Sequence, residues 1–371
     1  MIFGSPAGAA GNRLPRRPVA SLRAPEWLRA SVEPLCSRYD VALLDLDGVV
    51  YVGARAVPGA PEILAAVSAA GMKLAFVTNN ASRTPETVAE HLVRLDIPAE
   101  PGDVTTSAQA ASRYLAERLG AGARVLVLGT TGLVQALTER GLVPVYRAED
   151  EPDAVVQGFS PDLDWKMLAE GARAVRSGLI WIATNGDATV PSPRGLLPGN
   201  GALVAALSHA TGAVPIFTGK PDPVMHRETI ERSGARNPLV VGDRLDTDIQ
   251  GAAAVGCHSL LVLSGVTTPA QLVDAEPGQR PDFIAADVGG LLSPHVAPTI
   301  GGGPVRCGPW VAEHGRRLTL RYLGSGPSAP GAGEDLDALR ALCAATWNGG
   351  HHGVSAGDEH AEDALERLSL L

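Results

Sequence analysis

The most informative pattern in the chain is a short apolar run that stops abruptly at two carboxylates. Residues 41–44 are Val, Ala, Leu and Leu, and Asp45 and Asp47 follow one residue apart, with Gly48 directly behind them. This run predicts a strand buried on both faces of a parallel sheet, and the glycine lets the chain turn away from the sheet edge. Because alternate residues of a strand point the same way, both carboxylates should face one crevice at the strand's carboxyl end.

Three later apolar runs also end in polar groups. These groups are Thr78, Asn79 and Asn80; Lys220; and Asp243, Asp246 and Asp248. Helix-like stretches separate the runs, as a doubly wound α/β domain requires. Additional strand and helix patterns lie between residues 121 and 214, before the polar strand ends resume. The sequence therefore predicts one parallel sheet interrupted by an inserted domain.

These patterns divide the chain into a core, a cap and two extensions. We predict an N-terminal extension, partly disordered, over residues 1–39, a catalytic core over 40–120 and 215–298, a cap over 121–214, and a C-terminal extension over 299–371. The predicted fold class is α/β, with a doubly wound parallel sheet, an inserted α/β cap and a small C-terminal α+β extension.

The two extensions have different patterns. Residues 1–24 are rich in Gly, Pro, Ala and Arg without periodicity, which indicates a loose leader, and residues 25–39 predict one short helix. In the C-terminal extension, residues 305–313 and 317–322 predict two strands and residues 335–347 a helix. Because every polar strand end lies upstream, we expect this extension to be removable without loss of folding or activity.

Composition excludes several classes of function. The 31 basic and 40 acidic residues give a net charge of -9 without a large basic block, so nucleic acid is not an expected partner. The four cysteines lie far apart in no zinc or disulfide pattern, which favours a reducing cytoplasm. No apolar run reaches the roughly 18 residues of a membrane span. We therefore expect a soluble, cytoplasmic protein without a membrane partner.

The polar strand ends suit a phosphate ester and a hard divalent cation. Carboxylate oxygens are ligands for Mg²⁺, the hydroxyl of Thr78 can hold a phosphoryl oxygen, and Lys220 can offset phosphate charge. The chain has no glycine-rich Walker loop, which excludes a P-loop NTPase.

These groups, in this order, resemble the four motifs of the haloacid dehalogenase (HAD) superfamily of phosphatases. Residues 78–82, 219–221 and 242–249 are similar to the branch that contains NagD, 4-nitrophenylphosphatases and phosphoglycolate phosphatases, in which a cap is inserted between the threonine and lysine motifs. The resemblance covers about residues 39–298. It implies a Mg²⁺-dependent phosphatase that hydrolyses a small phosphate monoester through an aspartyl phosphate.

The resemblance also implies roles for individual residues. The implied catalytic residues are Asp45, Asp47, Thr78 and Lys220. The implied metal-binding residues are Asp45, Asp47, Asp243 and Asp248. Asp45 would be the nucleophile, and Asp47 would bind metal through its backbone carbonyl while its carboxyl transfers protons. Asp246 is expected to be solvated.

The implied substrate-binding set draws on both the core and the cap. It comprises Thr78, Asn79, Asn80, Asn185, Asp187 and Lys220. In the cap, residues 183–187 resemble the family's T-N-P-D segment, with Gly186 in place of the usual proline. The glycine loosens the expected turn, and an Asx-rich turn that simply ends a strand is the alternative.

The C-terminal extension resembles the acetyltransferase-like extension of actinobacterial glycerol 3-phosphate phosphatases. It is too short for a complete acetyl-CoA domain, which favours a regulatory or packing role. Glycerol 3-phosphate is therefore the first expected substrate, with phosphoglycolate or a broad set of sugar and nucleotide phosphates as alternatives. A catalytically idle HAD scaffold that binds through its tail is the alternative from another class. We also expect that two copies of the chain can form a homodimer through the cap.

Overall fold

A computed structural model describes residues 28–192, 195–301, 303–324, 332–350 and 353–371. The leader predicted over residues 1–24 lies outside the described residues. Among the helices in the described ranges, none is both long enough and apolar enough to cross a membrane.

The secondary structure of these residues follows the chain as two series. The strands are β1 (Val41–Leu44), β2 (Tyr51–Val52), β3 (Arg55–Ala56), β4 (Lys73–Thr78), β5 (Val104–Thr106), β6 (Arg124–Leu128), β7 (Val143–Val145), β8 (Ala154–Gln157), β9 (Ile180–Ala183), β10 (Thr189–Ser192), β11 (Gly195–Pro198), β12 (Ile216–Phe217), β13 (Pro238–Gly242), β14 (His258–Val262), β15 (Phe283–Ala285), β16 (Val305–Cys307), β17 (Trp310–His314), β18 (Leu318–Tyr322) and β19 (Val354–Ala356). The α-helices are α1 (Leu35–Arg38), α2 (Ala60–Ala69), α3 (Pro85–Arg94), α4 (Ser107–Leu119), α5 (Thr131–Glu139), α6 (Trp165–Arg176), α7 (Asn200–Thr211), α8 (Pro223–Ser233), α9 (Gln250–Val255), α10 (Pro269–Val273), α11 (Ala332–Gly349) and α12 (Glu359–Arg367).

The core is a parallel sheet with β1 near its middle. Its strand order is β15-β14-β13-β1-β4-β5, and every neighbouring pair is parallel. All four side chains of β1 are buried, with α2 and α3 on one face of the sheet and α8 and α9 on the other. The predicted doubly wound fold is thus confirmed, and the carboxyl ends of β4, β1 and β13 lie side by side.

The cap contains a second parallel sheet, in the order β12-β9-β8-β6-β7. Its last strand, β12, pairs Ile216 with Ile182 and Phe217 with Ala183. The cap sheet therefore reaches past residue 214, into the segment predicted to belong to the core.

The cap docks on the core through polar contacts that extend along α5. Thr130 Oγ1 donates to the carbonyl of Ser82 over 2.8 Å. After the other end of the helix, Arg140 Nη2 donates over 2.8 Å to the buried carboxylate of Glu228 in α8. These contacts join the cap to the loop after β4 and to α8 of the core.

The helix predicted over residues 25–39 is wrong for most of its described part. Only Leu35–Arg38 are helical, and Ser31 pairs instead with His295 through backbone hydrogen bonds of 2.9 and 2.8 Å. Pro34 explains the difference, because a proline disfavours helical geometry in the residue before it but is tolerated where a helix begins.

The C-terminal extension forms a four-stranded sheet, in the order β16-β17-β18-β19, with α11 and α12. The single strand predicted over residues 305–313 is instead a hairpin of β16 and β17. Gly308 turns the chain with a φ of 52°, and Pro309 follows it. The prediction missed β19 and α12.

The extension packs into the same hydrophobic cluster as β14, α10 and β15. Leu261, Leu272 and Ile284 of the core share this cluster with Trp310 and many apolar residues of α11. Arg340 in α11 also donates to the carbonyl of Ile284 over 2.7 Å. The C-terminal extension therefore shares a hydrophobic cluster with the core, and this packing argues against the expectation that it can be removed.

Candidate active site

The ammonium group of Lys220 lies at the centre of the carboxyl edge of the core sheet. It donates to Asp45 Oδ1, to Asp248 Oδ1 over 2.7 Å and to the carbonyl of Val77 over 3.2 Å. The lysine side chain is only 3% exposed, and these three acceptors use all three of its N–H donors. The acidic and lysine motifs, far apart in sequence, are thus joined by direct contacts.

The fold explains why these side chains meet. Asp45 is the residue after β1, and Lys220 follows the last cap strand where the chain re-enters the core. Asp248 lies in a π-helical turn, Leu245–Ile249, shortly after β13. Its second oxygen accepts from the backbone N–H of Arg244 over 3.1 Å, so both oxygens of Asp248 are engaged and its carboxylate can orient Lys220.

Asp243 occupies the adjoining position and retains a free acceptor. Its side chain is buried; Oδ2 accepts from the backbone N–H of Val266 over 2.6 Å, whereas Oδ1 has no partner among the described residues. A Cβ atom on Gly48, which has a φ of 87°, or on Gly265 would collide with this carboxylate. The glycine after the first acidic pair is therefore needed for close approach as well as for its turn.

The charges in this cluster are not balanced by the protein. One oxygen each of Asp45, Asp243 and Asp248 lie within 4.8 Å of one another, and Lys220 supplies one positive charge, so two negative charges are left over. Burial and the nearby carboxylates raise the pKa of Asp45 well above its ordinary value. Burial and Asp248 raise the pKa of Asp243 to about 6. A divalent cation would balance the charge and give Asp243 Oδ1 a partner, so the site fits Mg²⁺.

The side chain of Asp47 lies outside this cluster, at the exposed mouth of the site. The surrounding protein nevertheless desolvates its carboxyl and raises its pKa, while the positive charges of Arg83 and Lys220 act in the opposite direction. Asp47 therefore holds a proton more readily than an ordinary aspartate, as a general acid requires.

The hydroxyl and amide groups after β4 have different surroundings. Thr78 is buried, and its Oγ1 accepts from the backbone N–H of Asn80 over 3.1 Å. Asn80 is exposed and turns its carbonyl oxygen to Ser82, whereas Asn79 turns its amide to the backbone of Lys220. Asn185 from the cap donates to the carbonyl of Asn79. Substrate binding by these three asparagines stays a prediction.

Comparison with known proteins identifies the family. Residues 42–143 match the family model for haloacid dehalogenase-like hydrolases, residues 217–291 match a HAD-hydrolase-like model, and residues 307–370 match a GCN5-related N-acetyltransferase like domain. The chain is 43% identical to the D-glycerol 3-phosphate phosphatase of Mycobacterium tuberculosis over 357 residues. The aligned region covers 92% of this chain and 97% of that protein. The chain belongs to the haloacid dehalogenase-like hydrolases.

This HAD hydrolase is also similar to other curated and solved proteins. An acid sugar phosphatase of Staphylococcus aureus is 40% identical over 62% of this chain and 89% of its own. The crystal structure of the M. tuberculosis glycerol phosphate phosphatase in complex with magnesium has a TM-score of 0.83 and 42% identity, over 92% of this chain and 100% of that one. A 4-nitrophenylphosphatase of Thermotoga maritima has a TM-score of 0.65 and 31% identity, over 70% and 98%. The predicted superfamily and branch are confirmed.

One loop of the HAD site, which follows β14, is not among the predicted motifs. Ser264 Oγ donates to the carbonyl of Gly48 over 2.7 Å, and Thr267 donates its backbone N–H to the carbonyl of Asp243 over 3.1 Å. Val266, in the same loop, makes the contact with the Asp243 carboxylate. The loop begins where another buried apolar strand ends, so the same pattern of apolar and polar residues could have identified it.

The cap segment around Asp187 is held more firmly than the sequence indicated. The backbone N–H of Asp187 donates to Asn185 Oδ1 over 3.3 Å, so the Asx turn considered as an alternative is present. A Cβ on Gly199 or Gly201 would collide with the backbone of Gly186 and Asp187. Close packing of this glycine turn therefore limits the freedom that Gly186 was expected to introduce.

Asp187 and Arg244 place charges of opposite sign at the mouth of the HAD site. Burial raises the pKa of Asp187, while the charges of Arg244 and Lys220 oppose this shift. Arg244 pairs with Asp246 through contacts of 3.1 and 2.9 Å, and Asp246 is exposed, as its expected solvation requires. A cap carboxylate and a core guanidinium thus lie close enough to Lys220 and to each other for their charges to interact.

Proposed function

We propose that this HAD hydrolase is a Mg²⁺-dependent phosphatase that converts glycerol 3-phosphate to glycerol and phosphate. The observation that carries the proposal is the buried cluster of three carboxylates and one lysine, whose uncompensated charge and free Asp243 oxygen suit a divalent cation. The substrate is supported by similarity over nearly the whole chain, including the C-terminal extension, to the M. tuberculosis phosphatase.

In the first displacement, the Asp45 carboxylate attacks phosphorus and the phosphorus–oxygen bond of the ester breaks. The carboxyl of Asp47 gives its proton to the departing alkoxide, while the hydroxyl of Thr78 provides a donor for a phosphoryl oxygen and the positive charge of Lys220 offsets phosphoryl charge. The side chains of Asp45 and Asp243 and the backbone carbonyl of Asp47 would hold Mg²⁺, with Asp248 in support. When bound, the ion supplies positive charge that stabilises the transferring phosphoryl group.

The second displacement releases phosphate from the aspartyl phosphate. Asp47, now ionised, takes a proton from a water molecule as that water attacks phosphorus, and the acyl phosphate bond to Asp45 breaks. Phosphate leaves, the carboxylate of Asp45 is restored, and Asp47 is protonated again. One carboxyl group thus serves both proton transfers.

Phosphate release from a panel of metabolites tests the substrate. We expect glycerol 3-phosphate to give a higher kcat/KM than phosphoglycolate, sugar phosphates and nucleotides. We also expect EDTA to abolish turnover. A higher value for another ester would replace the proposed substrate. If none of the esters gives Mg²⁺-dependent phosphate release, the result would favour the idle scaffold.

Asp47→Asn should separate the two displacements. With p-nitrophenyl phosphate the leaving group needs little protonation, so the first step should survive while dephosphorylation slows by roughly 10²–10⁴-fold. We expect a burst of p-nitrophenol and an added phosphoryl mass on the intact protein, measured by rapid quench.

The same variant with glycerol 3-phosphate is the matched control. The alkoxide of glycerol is a poor leaving group, so the reaction of the variant with this substrate should stall before the covalent step and add no phosphoryl mass to the protein. The absence of both burst and phosphoryl mass with p-nitrophenyl phosphate would contradict the role of Asp47 or that of Asp45.

Mg²⁺ affinity should fall below about pH 6. The pKa of Asp243 in the metal-free site is about 6, so the carboxyl is increasingly protonated as the pH decreases and must lose that proton to bind the ion. Calorimetric titration should therefore show weaker binding and greater proton release at pH 5.5 than at pH 7.5. Asp246→Asn, an exposed change, should keep this dependence. Equal affinity at both pH values would contradict it.

We also propose the homodimer through the cap. In its support, the edge strand β12 leaves Ile216 41% and Phe217 37% exposed, and Val214 beside them is 82% exposed. Exposed apolar side chains on a strand edge that pairs with no other described strand suit pairing with a second copy. Light scattering should give twice the chain mass, and Phe217→Lys should reduce it to that of the monomer. A monomeric wild type would exclude this assembly.

A further inference from the structure

A chain of hydrogen bonds runs from the cap to the backbone of the active-site lysine. It begins at Asn200, the first residue of α7, whose Nδ2 donates to the carbonyl of Asn185 over 2.9 Å. Asn185 Nδ2 then donates to the carbonyl of Asn79 over 2.7 Å. Asn200 and Asn185 are buried, so water does not compete freely for these donors.

The last link holds both sides of the Lys220 backbone. Asn79 Oδ1 accepts from the N–H of Lys220 over 2.8 Å, and Asn79 Nδ2 donates to its carbonyl over 3.2 Å. Gly219 permits this contact, because a Cβ there would collide with Asn79 Oδ1 and the carbonyl of Thr184. The side chain of the residue held in this way contacts Asp45, so a shift of its backbone would move the ammonium group.

Asn200 carries an energetic cost that its packing does not explain. Its Oδ1 is buried without a partner among the described residues, and an unsatisfied buried acceptor costs about 1–3 kcal/mol. An apolar side chain at this position would avoid that cost. The amide is therefore better explained by the hydrogen bond that its N–H group donates than by its contribution to stability.

We propose that Asn200 and Asn185 are positioning residues that set the placement of the Lys220 ammonium group through Asn79. This inference rests on the proposed phosphatase mechanism, in which Lys220 contacts the nucleophile and its positive charge offsets that of the phosphoryl group. The cap thereby controls the rate of phosphoryl transfer through the backbone of the lysine, in addition to any direct contact with a leaving group.

The test uses full-length Asn200→Ala with p-nitrophenyl phosphate at saturating Mg²⁺. Because small misplacements of reacting groups are costly, we expect kcat to fall about 10- to 100-fold, with KM and the Mg²⁺ half-saturation concentration within about twofold of wild type. Asn237→Ala is the control for loss of an asparagine donor at an exposed position. Asn237 also donates Nδ2 to a backbone carbonyl, that of Arg38, over 2.8 Å, but outside the chain of hydrogen bonds that reaches Lys220. It should leave kcat unchanged.

A double-mutant cycle distinguishes positioning from general destabilisation. Asn200→Ala and Asn185→Ala act on one chain of hydrogen bonds, so the double variant should lose about as much kcat as one single variant. Asn200→Ala with Asn237→Ala should instead show independent effects. If Asn200→Ala does not fold, Asn200→Ser, which keeps a shorter donor, takes its place in the same cycle.

Three results would overturn the inference. They are an unchanged kcat in the folded Asn200 variant, a loss expressed only in KM or Mg²⁺ affinity, and full multiplication of the Asn200 and Asn185 effects. Failure of the proposed function is distinguishable, because the wild-type protein would then release no p-nitrophenol in a Mg²⁺-dependent manner.

Discussion

Asp45→Asn should reduce phosphatase turnover by roughly 10⁴-fold or more, the scale observed when a covalent nucleophile is removed. The neutral amide cannot attack phosphorus, and its loss of charge removes one of the carboxylates that oppose Lys220. Initial rates with glycerol 3-phosphate and p-nitrophenyl phosphate at saturating Mg²⁺ would measure the effect. No phosphoryl mass should appear on the protein in rapid-quench samples.

Asp246→Asn is the matched control for this change. Asp246 lies in the same acidic motif but is exposed and pairs only with Arg244 in the contacts described for its side chain. It should retain turnover within a few-fold of wild type. If Asp45→Asn retained more than a tenth of wild-type turnover, Asp45 could not be the nucleophile.

Deletion of residues 299–371 should leave an insoluble chain. The cut would expose apolar residues of β14, α10 and β15 that now share a hydrophobic cluster with α11, including Leu261, Leu272 and Ile284. Large exposed apolar patches of this kind cause aggregation. The soluble fraction after expression, compared with that of the full chain, would measure the effect. A soluble, active truncation would show that the extension is separable after all.

A point change in α11 tests the same interface more gently. Arg340→Met removes the hydrogen bond to the carbonyl of Ile284 and leaves Asp337, which is only 15% exposed, without its ion-pair partner. Urea unfolding should show a loss of roughly 3–5 kcal/mol, the range for breaking a buried pair. Arg367→Met breaks a more exposed pair with Asp335 and should cost about 1 kcal/mol or less.

The sequence was sufficient to predict the central sheet and the acidic cluster. Strand β1 is a short apolar run with an immediate polar end, and parallel strands bring such ends to one edge. Asp45, Lys220 and Asp248 could therefore be placed together without knowledge of the intervening cap. The prediction of a divalent cation followed from the chemistry of these strand ends, because close carboxylates need a cation or a shared proton and carboxylate oxygens are ligands for Mg²⁺.

Other features depend on information that a local pattern does not contain. The sequence around Asn79 does not indicate whether its amide faces a substrate or the backbone of Lys220. The amide reaches that backbone because Gly219 has no side chain to block the contact. Likewise, the apolar residues of β14 and β15 indicate that these strands are buried, but they do not indicate which element packs against them. The docking of α11 could not be predicted for that reason.

The insertion of the cap has a consequence for synthesis of the protein. Strand β1 pairs with β13 across the whole length of the cap, whereas the cap strands pair among neighbouring segments of the chain. As the chain leaves the ribosome, the cap sheet can therefore form while β1 still lacks one of its two neighbours. The cluster around Lys220 has to wait for residues up to Asp248, and the covering helix α11 emerges later still. We expect nascent chains to hold a folded cap before they hold an active site.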